Sequence, residues 1–290
     1  MQMANGRISQ LLNLPCFAGQ DCQAEPFIGS GNHDCYLVKV ATGSQCWFAK
    51  HLGITNGADN SAANKAVYPQ LESLSPVPFY QDENWLILPF IDGTNILDWD
   101  ILVSDKIKLA VPLMAKLHER VNAELPELSL QAQFAELLDT VDIPASKTES
   151  LRRQIDKFLP KTHAEQPHVV CHGDLNFANI IIDREEKAWL LDLEYLCRAP
   201  REYDIAMFMA INALSPDKWR STVIDHYQTA ANVDVNQHLI DIYLPCCLLL
   251  NGLWYASRGR QHPEFRQKAS WQLQQFRLVT GHSLSAELIR

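Results

Sequence analysis

The segment His168–Glu194, HVVCHGDLNFANIIIDREEKAWLLDLE, constrains this chain more than any other stretch. Ile180–Ile182 and Ala188–Leu193 are apolar β-runs on either side of the polar turn Arg184–Lys187, a pattern that reads as an antiparallel hairpin. Asn179 stands at the hairpin entrance and Asp192 near its exit, at mirrored distances from the middle of the turn. The pairing is therefore predicted to set these two oxygen donors opposite each other, and Asp174 precedes them in the entering loop. Two oxygen ligands plus substrate phosphates suit Mg²⁺, which keeps much of its own water. A third carboxylate beside them can receive a hydroxyl proton. Taken singly, Asp174 and Asn179 would serve as well in a capped turn; Asp192 at the mirrored spacing, and Asp204 beyond it, select the chemical reading.

The rest of the chain places this hairpin. Residues 27–51 read as β structure, with Cys35–Val40 and Cys46–Lys50 joined by a turn at Thr42-Gly43-Ser44, and Trp85–Leu88 is a further buried strand. From there helices dominate. Ile107, Ala110, Val111, Met114 and Leu117 recur at helical spacing, with Ser104 as N-cap and a kink or restart expected at Pro112. The last helix starts near Pro263, carries the stripe Phe265, Ala269, Leu273 and Phe276, and stops at Gly281. The expected fold is α+β, with a β-rich N-lobe over residues 1–90 and a helical C-lobe over 91–290 that holds the hairpin.

Composition narrows the partners. A chain of 290 residues with 47% hydrophobic and 20% charged residues is long enough for two packed lobes. A net charge of −9 excludes a broad basic face for nucleic acid. The longest apolar run, Ile242–Leu250, is broken by Pro245 and ended by Asn251-Gly252, short of the ~20 residues a membrane span needs. The eight cysteines form no C-x-x-C pair, which fits a reduced cytoplasm.

At His172-Gly-Asp174, Asn179 and Leu191-Asp192-Leu-Glu194-Tyr195 the chain resembles the aminoglycoside phosphotransferase and choline kinase superfamily, with a protein-kinase-like two-lobed fold. The D-x-E-Y form and the stretch Leu248–Arg258 are most similar to its thiamine kinase branch. Leu117-His118 and Arg201–Ala206 match further landmarks. The resemblance implies ATP and Mg²⁺ as cofactors and a small-molecule hydroxyl acceptor as partner. Asp174 would be the catalytic base, Asn179 and Asp192 the metal ligands, and His172 and Asp204 supports of the catalytic loop. Lys50, at the end of Trp47-Phe-Ala-Lys50, would contact ATP phosphates beneath a glycine loop at Gly29 and Gly31, which serve as well as hairpin glycines. The helix acid that pairs such a lysine in many kinases is missing, since no Asp or Glu occurs between Asp59 and Glu72. Glu194, Tyr195, Trp254 and Tyr255 would face the acceptor, an acid with aromatic faces suited to a cation such as thiamine; Glu194 serves as well as a metal contact or a cap of the strand end. The two C-terminal aromatics suit a core equally well. Arg258 is expected to point outward or stack on a ring.

Other classes compete with this reading. Choline, ethanolamine or an aminoglycoside could be the acceptor. A pseudokinase or ligand-binding module would keep the fold without turnover. A hydrolase built on Cys171, His172 and Asp174 is disfavoured because adjacent side chains on an extended segment point to opposite faces.

Overall fold

The computed structural model describes residues 2–27, 34–41, 45–52, 66–140, 145–160, 166–259 and 262–283. Gly29, Gly31 and the turn at Thr42–Ser44 lie outside the described residues. Helix α1 (Gln2–Leu12) leads into β1 (Cys22–Phe27), β2 (Cys35–Val40), β3 (Cys46–His51), β4 (Tyr80–Gln81) and β5 (Trp85–Pro89), an antiparallel sheet in the order β1-β2-β3-β5-β4. Alternation decides its faces. Tyr36 and Val38 of β2, Ala49 of β3, and Trp85 and Ile87 of β5 turn inward and pack with Leu11 and Phe17. Phe48 and Lys50 of β3 therefore share the opposite face. The α1 helix and β1 have weak sequence signals. The edge strand β1 is mostly exposed and contains Pro26, a residue that edge strands tolerate because one row of their N–H groups has no partner.

The remainder contains β6 (Gly93–Asn95), α2 (Val103–Arg120), α3 (Leu130–Thr140), α4 (Ala145–Ile155), β7 (His168–Cys171), β8 (Ile180–Asp183), β9 (Ala188–Leu190), β10 (Cys197–Pro200), α5 (Arg201–Ile211), α6 (Pro216–Ala231), α7 (Gln237–Arg258) and α8 (Pro263–Thr280). Two small antiparallel sheets, β6-β8-β9 and β10-β7, sit among the helices. A second and larger core joins them, with Met114, Leu117, Ile180, Leu190, Phe208 and Leu249 all buried.

Three local expectations are corrected. Leu102 occupies the N-cap of α2 without any side-chain cap, so Ser104 lies inside the first turn. The helix runs unbroken through Pro112; burial of Ile107, Val111 and Met114 on one face offsets the backbone bond that proline removes. Likewise α7 continues through Pro245 and Asn251-Gly252. By length and composition alone it could cross a membrane, yet 61% of its apolar window is buried inside this fold. It is packed between α5 and α8 as a core helix. The last helix follows the sequence pattern: Ala269 and Phe276 are buried, and Gly281 closes it at φ 72° with its N–H on the Arg277 carbonyl at 2.9 Å.

Candidate active site

The loop after β7 is held from below. Asp204, in the first turn of α5, is fully buried. Its Oδ2 accepts from the His172 N–H and its Oδ1 from the Gly173 N–H, each at 2.9 Å. His118, near the end of α2, donates from Nε2 to the same carboxylate at 2.9 Å, and its Nδ1 accepts from the Tyr227 hydroxyl at 2.7 Å. Burial by itself would raise the Asp204 pKa; the hydrogen bond from His118, with that of the Gly173 N–H, outweighs it and holds the carboxyl below its ordinary value. Asn212 braces the far side of the loop, donating to the Leu175 carbonyl at 3.0 Å and accepting from the Phe177 N–H at 2.7 Å. Gly173 adopts φ 75°, and a Cβ there would lie 2.6 Å from the Tyr195 carbonyl oxygen. Only glycine fits that turn.

His172 is a supporting group. Its Nε2 donates to the Leu191 carbonyl at 3.0 Å and its Nδ1 accepts from the Asp174 N–H at 3.3 Å. Burial pushes the ring's pKa down and keeps it neutral. Cys171 instead turns its Sγ toward the Ala199 and Pro200 carbonyls, so no nucleophilic thiol meets the His172 imidazole.

Asp174 therefore stands on a fixed loop. The Asn179 amide donates to its backbone carbonyl at 2.8 Å and to its Oδ2 at 3.2 Å, and Asn176 adds a longer contact at 3.4 Å. Burial, and then the nearby charge of Asp192, raise the Asp174 pKa from 3.8 to about 7.

The hairpin register differs from the expectation by one residue. Ile180 pairs with Leu190, and the Leu191 N–H bonds the Asn179 carbonyl at 2.8 Å. Asn179 thus faces Leu191, not Asp192. The strand ends early because Asp192 takes the left-handed conformation, φ 59° and ψ 63°, and opens a single 3-10 turn over Leu193–Tyr195. Asp tolerates that region better than most residues, and the local cost is about 1–3 kcal/mol. The bend brings two carboxylates to one cation. Lys50, only 8% exposed, reaches Asp192 Oδ1 at 2.6 Å and Glu194 Oε2 at 2.8 Å. Burial would lower the lysine's pKa, but the two carboxylates outweigh it and hold the ammonium above its ordinary value.

Further out, Tyr195 is half-exposed. Trp254 and Tyr255 pack edge to face at 5.2 Å between ring centroids, and Phe265 joins both. Burial, and then the charge of Asp174, raise the Tyr255 phenol to about 12. Arg258 stacks on Trp254 with its Cζ 3.9 Å from the ring centroid. Asn212, Tyr227 and the grouping of Phe27 with Phe48 were not anticipated. Phe27 lies 5.5 Å from Phe48 and 6.2 Å from Phe90. Phe48 could have been found from its position two residues before Lys50 on one strand face; Tyr227 has no local sequence signal.

Fold and site together define a phosphotransferase class. Residues 82–236 match the phosphotransferase enzyme family (APH), and the chain belongs to that family. Solved small-molecule kinases and phosphotransferases share its fold. Choline kinase LicA from Streptococcus pneumoniae is similar in structure, with a TM-score of 0.72 and 18% identity over 97% of this chain and 99% of that one. A LicA structure in complex with AMP gives 0.71 and 17% over 96% and 98%. Spectinomycin phosphotransferase with ADP and spectinomycin gives 0.58 and 15% over 96% and 93%. An uncharacterised protein of Metamycoplasma hominis is 25% identical over 162 residues, 54% of this chain and 32% of its own length. The alignment thus spans about a third of that curated relative.

Proposed function

We propose that the protein transfers the γ-phosphoryl group of ATP to a hydroxyl of a small molecule, with Asp174 as base. The observation that carries this is the meeting of Asp174, Asn179, Asp192 and Lys50 at one place, on a loop clamped by Asp204. Asp174 has the raised pKa of a group able to take a proton near neutral pH. Its deprotonated carboxylate would accept the acceptor's proton as the hydroxyl oxygen attacks. Lys50 would steady phosphate charge from the sheet side. Phe48, two residues earlier on the same face, forms with Phe27 and Phe90 an apolar site suited to stacking adenine.

The donor set suits Mg²⁺. Asn179 spends its amide nitrogen on Asp174, which leaves its amide oxygen for a cation, and one oxygen of Asp192 is free of the Lys50 contact. Hard oxygen donors few in number are what magnesium takes alongside phosphates. When bound it would neutralise phosphate charge. The residues given above as expected metal ligands are thus retained in the proposal, and the domain reading with them: residues 1–90 as the nucleotide-phosphate side and 91–290 as the acceptor side.

For the acceptor, thiamine is the first candidate, with choline, ethanolamine and aminoglycosides as alternatives. The support is Tyr195, in the turn just past Asp192, and the aromatic pair Trp254 and Tyr255. Arg258 already covers one face of Trp254 and Lys268 lies over the Tyr255 ring at 5.4 Å from its centroid, so among the described residues Tyr195 is the ring of the three left for a cation. Eight free thiols fit a reducing, cytoplasmic setting. The test is ADP release with MgATP against a panel of thiamine, choline, ethanolamine, an aminoglycoside and a neutral sugar alcohol. Thiamine should give the highest kcat/KM. A neutral sugar alcohol ahead of every cation would end the cation reading and leave the phosphotransferase reading in place.

A further inference from the structure

The second carboxylate on Lys50 answers a question the sequence raised. A lysine this buried needs an anionic partner, and the stretch between Asp59 and Glu72 contains none. Within the described part of that stretch, a 3-10 turn at Tyr68–Leu71 brings a buried tyrosine near the lysine. The charges of Asp192, Lys50 and Glu194 all act on the Tyr68 phenol. Two acids have replaced the missing one, but they are not equivalent. Asp192 Oδ1 holds the ammonium at 2.6 Å, yet Asp192 is also the residue assigned to the metal. Glu194 Oε2 holds it at 2.8 Å from the 3-10 turn beyond.

Resting on the phosphotransferase reading, we propose that Glu194 is the standing partner of Lys50, the positioning residue that supplies from the metal strand's end the carboxylate usually supplied by a helix. With no metal bound, Asp192 and Glu194 share the lysine. With Mg²⁺ on the free oxygen of Asp192 that carboxylate's charge would be shared with the metal, and Glu194 is then the main partner that keeps the ammonium paired and aimed at the phosphates. This moves Glu194 from the acceptor wall to the nucleotide side. It also gives the left-handed bend at Asp192 a purpose: the bend lets residues two apart in sequence reach one nitrogen. No helix movement is then needed to complete the lysine pair, because both acids, one of them the proposed metal ligand, lie on one short segment.

The division of labour predicts a magnesium-dependent phenotype. The experiment is equilibrium binding of a fluorescent ATP analogue, with Mg²⁺ and with chelator, to wild type, Glu194→Gln and Glu194→Asp. Glu194→Gln should weaken binding about tenfold or more with Mg²⁺ and less than about threefold without it, since Asp192 then still holds Lys50. Glu194→Asp keeps the charge and should recover most of the affinity; it also serves if the glutamine variant fails to fold. The KM of the acceptor should move less than about twofold in either variant. An equal loss with and without Mg²⁺, or an effect confined to the acceptor KM, would overturn the assignment. A wild type that binds no nucleotide under either condition would instead overturn the phosphotransferase reading on which it stands.

Discussion

As the proposed base, Asp174 is under two opposing demands. A base must be able to ionise, yet its place beside Asp192 and away from bulk water makes ionisation costly. Its pKa of about 7 in the fold against 3.8 as an ordinary carboxyl means that the folded protein binds the proton more tightly than the unfolded chain does. Stability therefore falls as pH rises from about 4 to about 7, and the full cost is present above that. A shift of three units corresponds to about 4 kcal/mol; the side chain keeps some solvent access, so screening reduces the cost to about 1–2 kcal/mol. Asp174→Asn, free of nucleotide and metal, should be more stable than wild type by about that amount at pH 8, and the gap should close below pH 4. Urea denaturation at the two pH values checks it, and a wild type more stable than the variant at pH 8 would contradict it.

At the scale of elements, the loop, the hairpin and α5 work as one unit. Asp204 supplies both acceptors for the His172 and Gly173 N–H groups, so Asp204→Asn leaves at least one buried N–H poorly matched, at a cost of about 1.5–3 kcal/mol. The loop should shift and kcat fall at least about tenfold while MgATP affinity changes little. A variant of normal kcat would show that the clamp is not needed for positioning. Much of this unit was legible in sequence because its signals are local: His172-Gly-Asp174, the polar turn Arg184–Lys187, and the stripe of the last helix. What was not legible depends on contacts between distant segments. The hairpin slipped by one residue because mirrored spacing assumes both strands run to the ligands, whereas β9 ends at Leu190 and Asp192 bends away in a left-handed conformation. No pattern in the residues of β9 announces that bend. Glu194 read as an acceptor contact because it follows the metal strand; its place on Lys50 depends on a strand far away in the chain. A restart at Pro112 and an interruption at Pro245 do not occur, for the same reason, since burial on both helices outweighs one lost backbone bond.

Across the whole molecule, two separate apolar cores, one around Tyr36, Val38 and Ile87 and one around Met114, Phe208 and Leu249, meet through a polar junction. Lys50 is contributed by the sheet, and Asp192 and Glu194 by the helical part, so the central ion pairs bridge the two cores. Such an arrangement suits a reaction in which a nucleotide held by one side is aligned with an acceptor held by the other. On the proposed division Asp174 belongs to the acceptor side, and it contacts no residue of the N-terminal sheet through a hydrogen bond among the described residues. Its loss should then spare nucleotide binding while stopping transfer. The most direct measurement is single-turnover phosphoryl transfer to the best acceptor by wild type and Asp174→Asn, with MgATP affinity measured on the same samples. The account predicts a transfer rate at least about 10²-fold lower in the variant at an unchanged MgATP affinity; transfer at the wild-type rate by Asp174→Asn would contradict it.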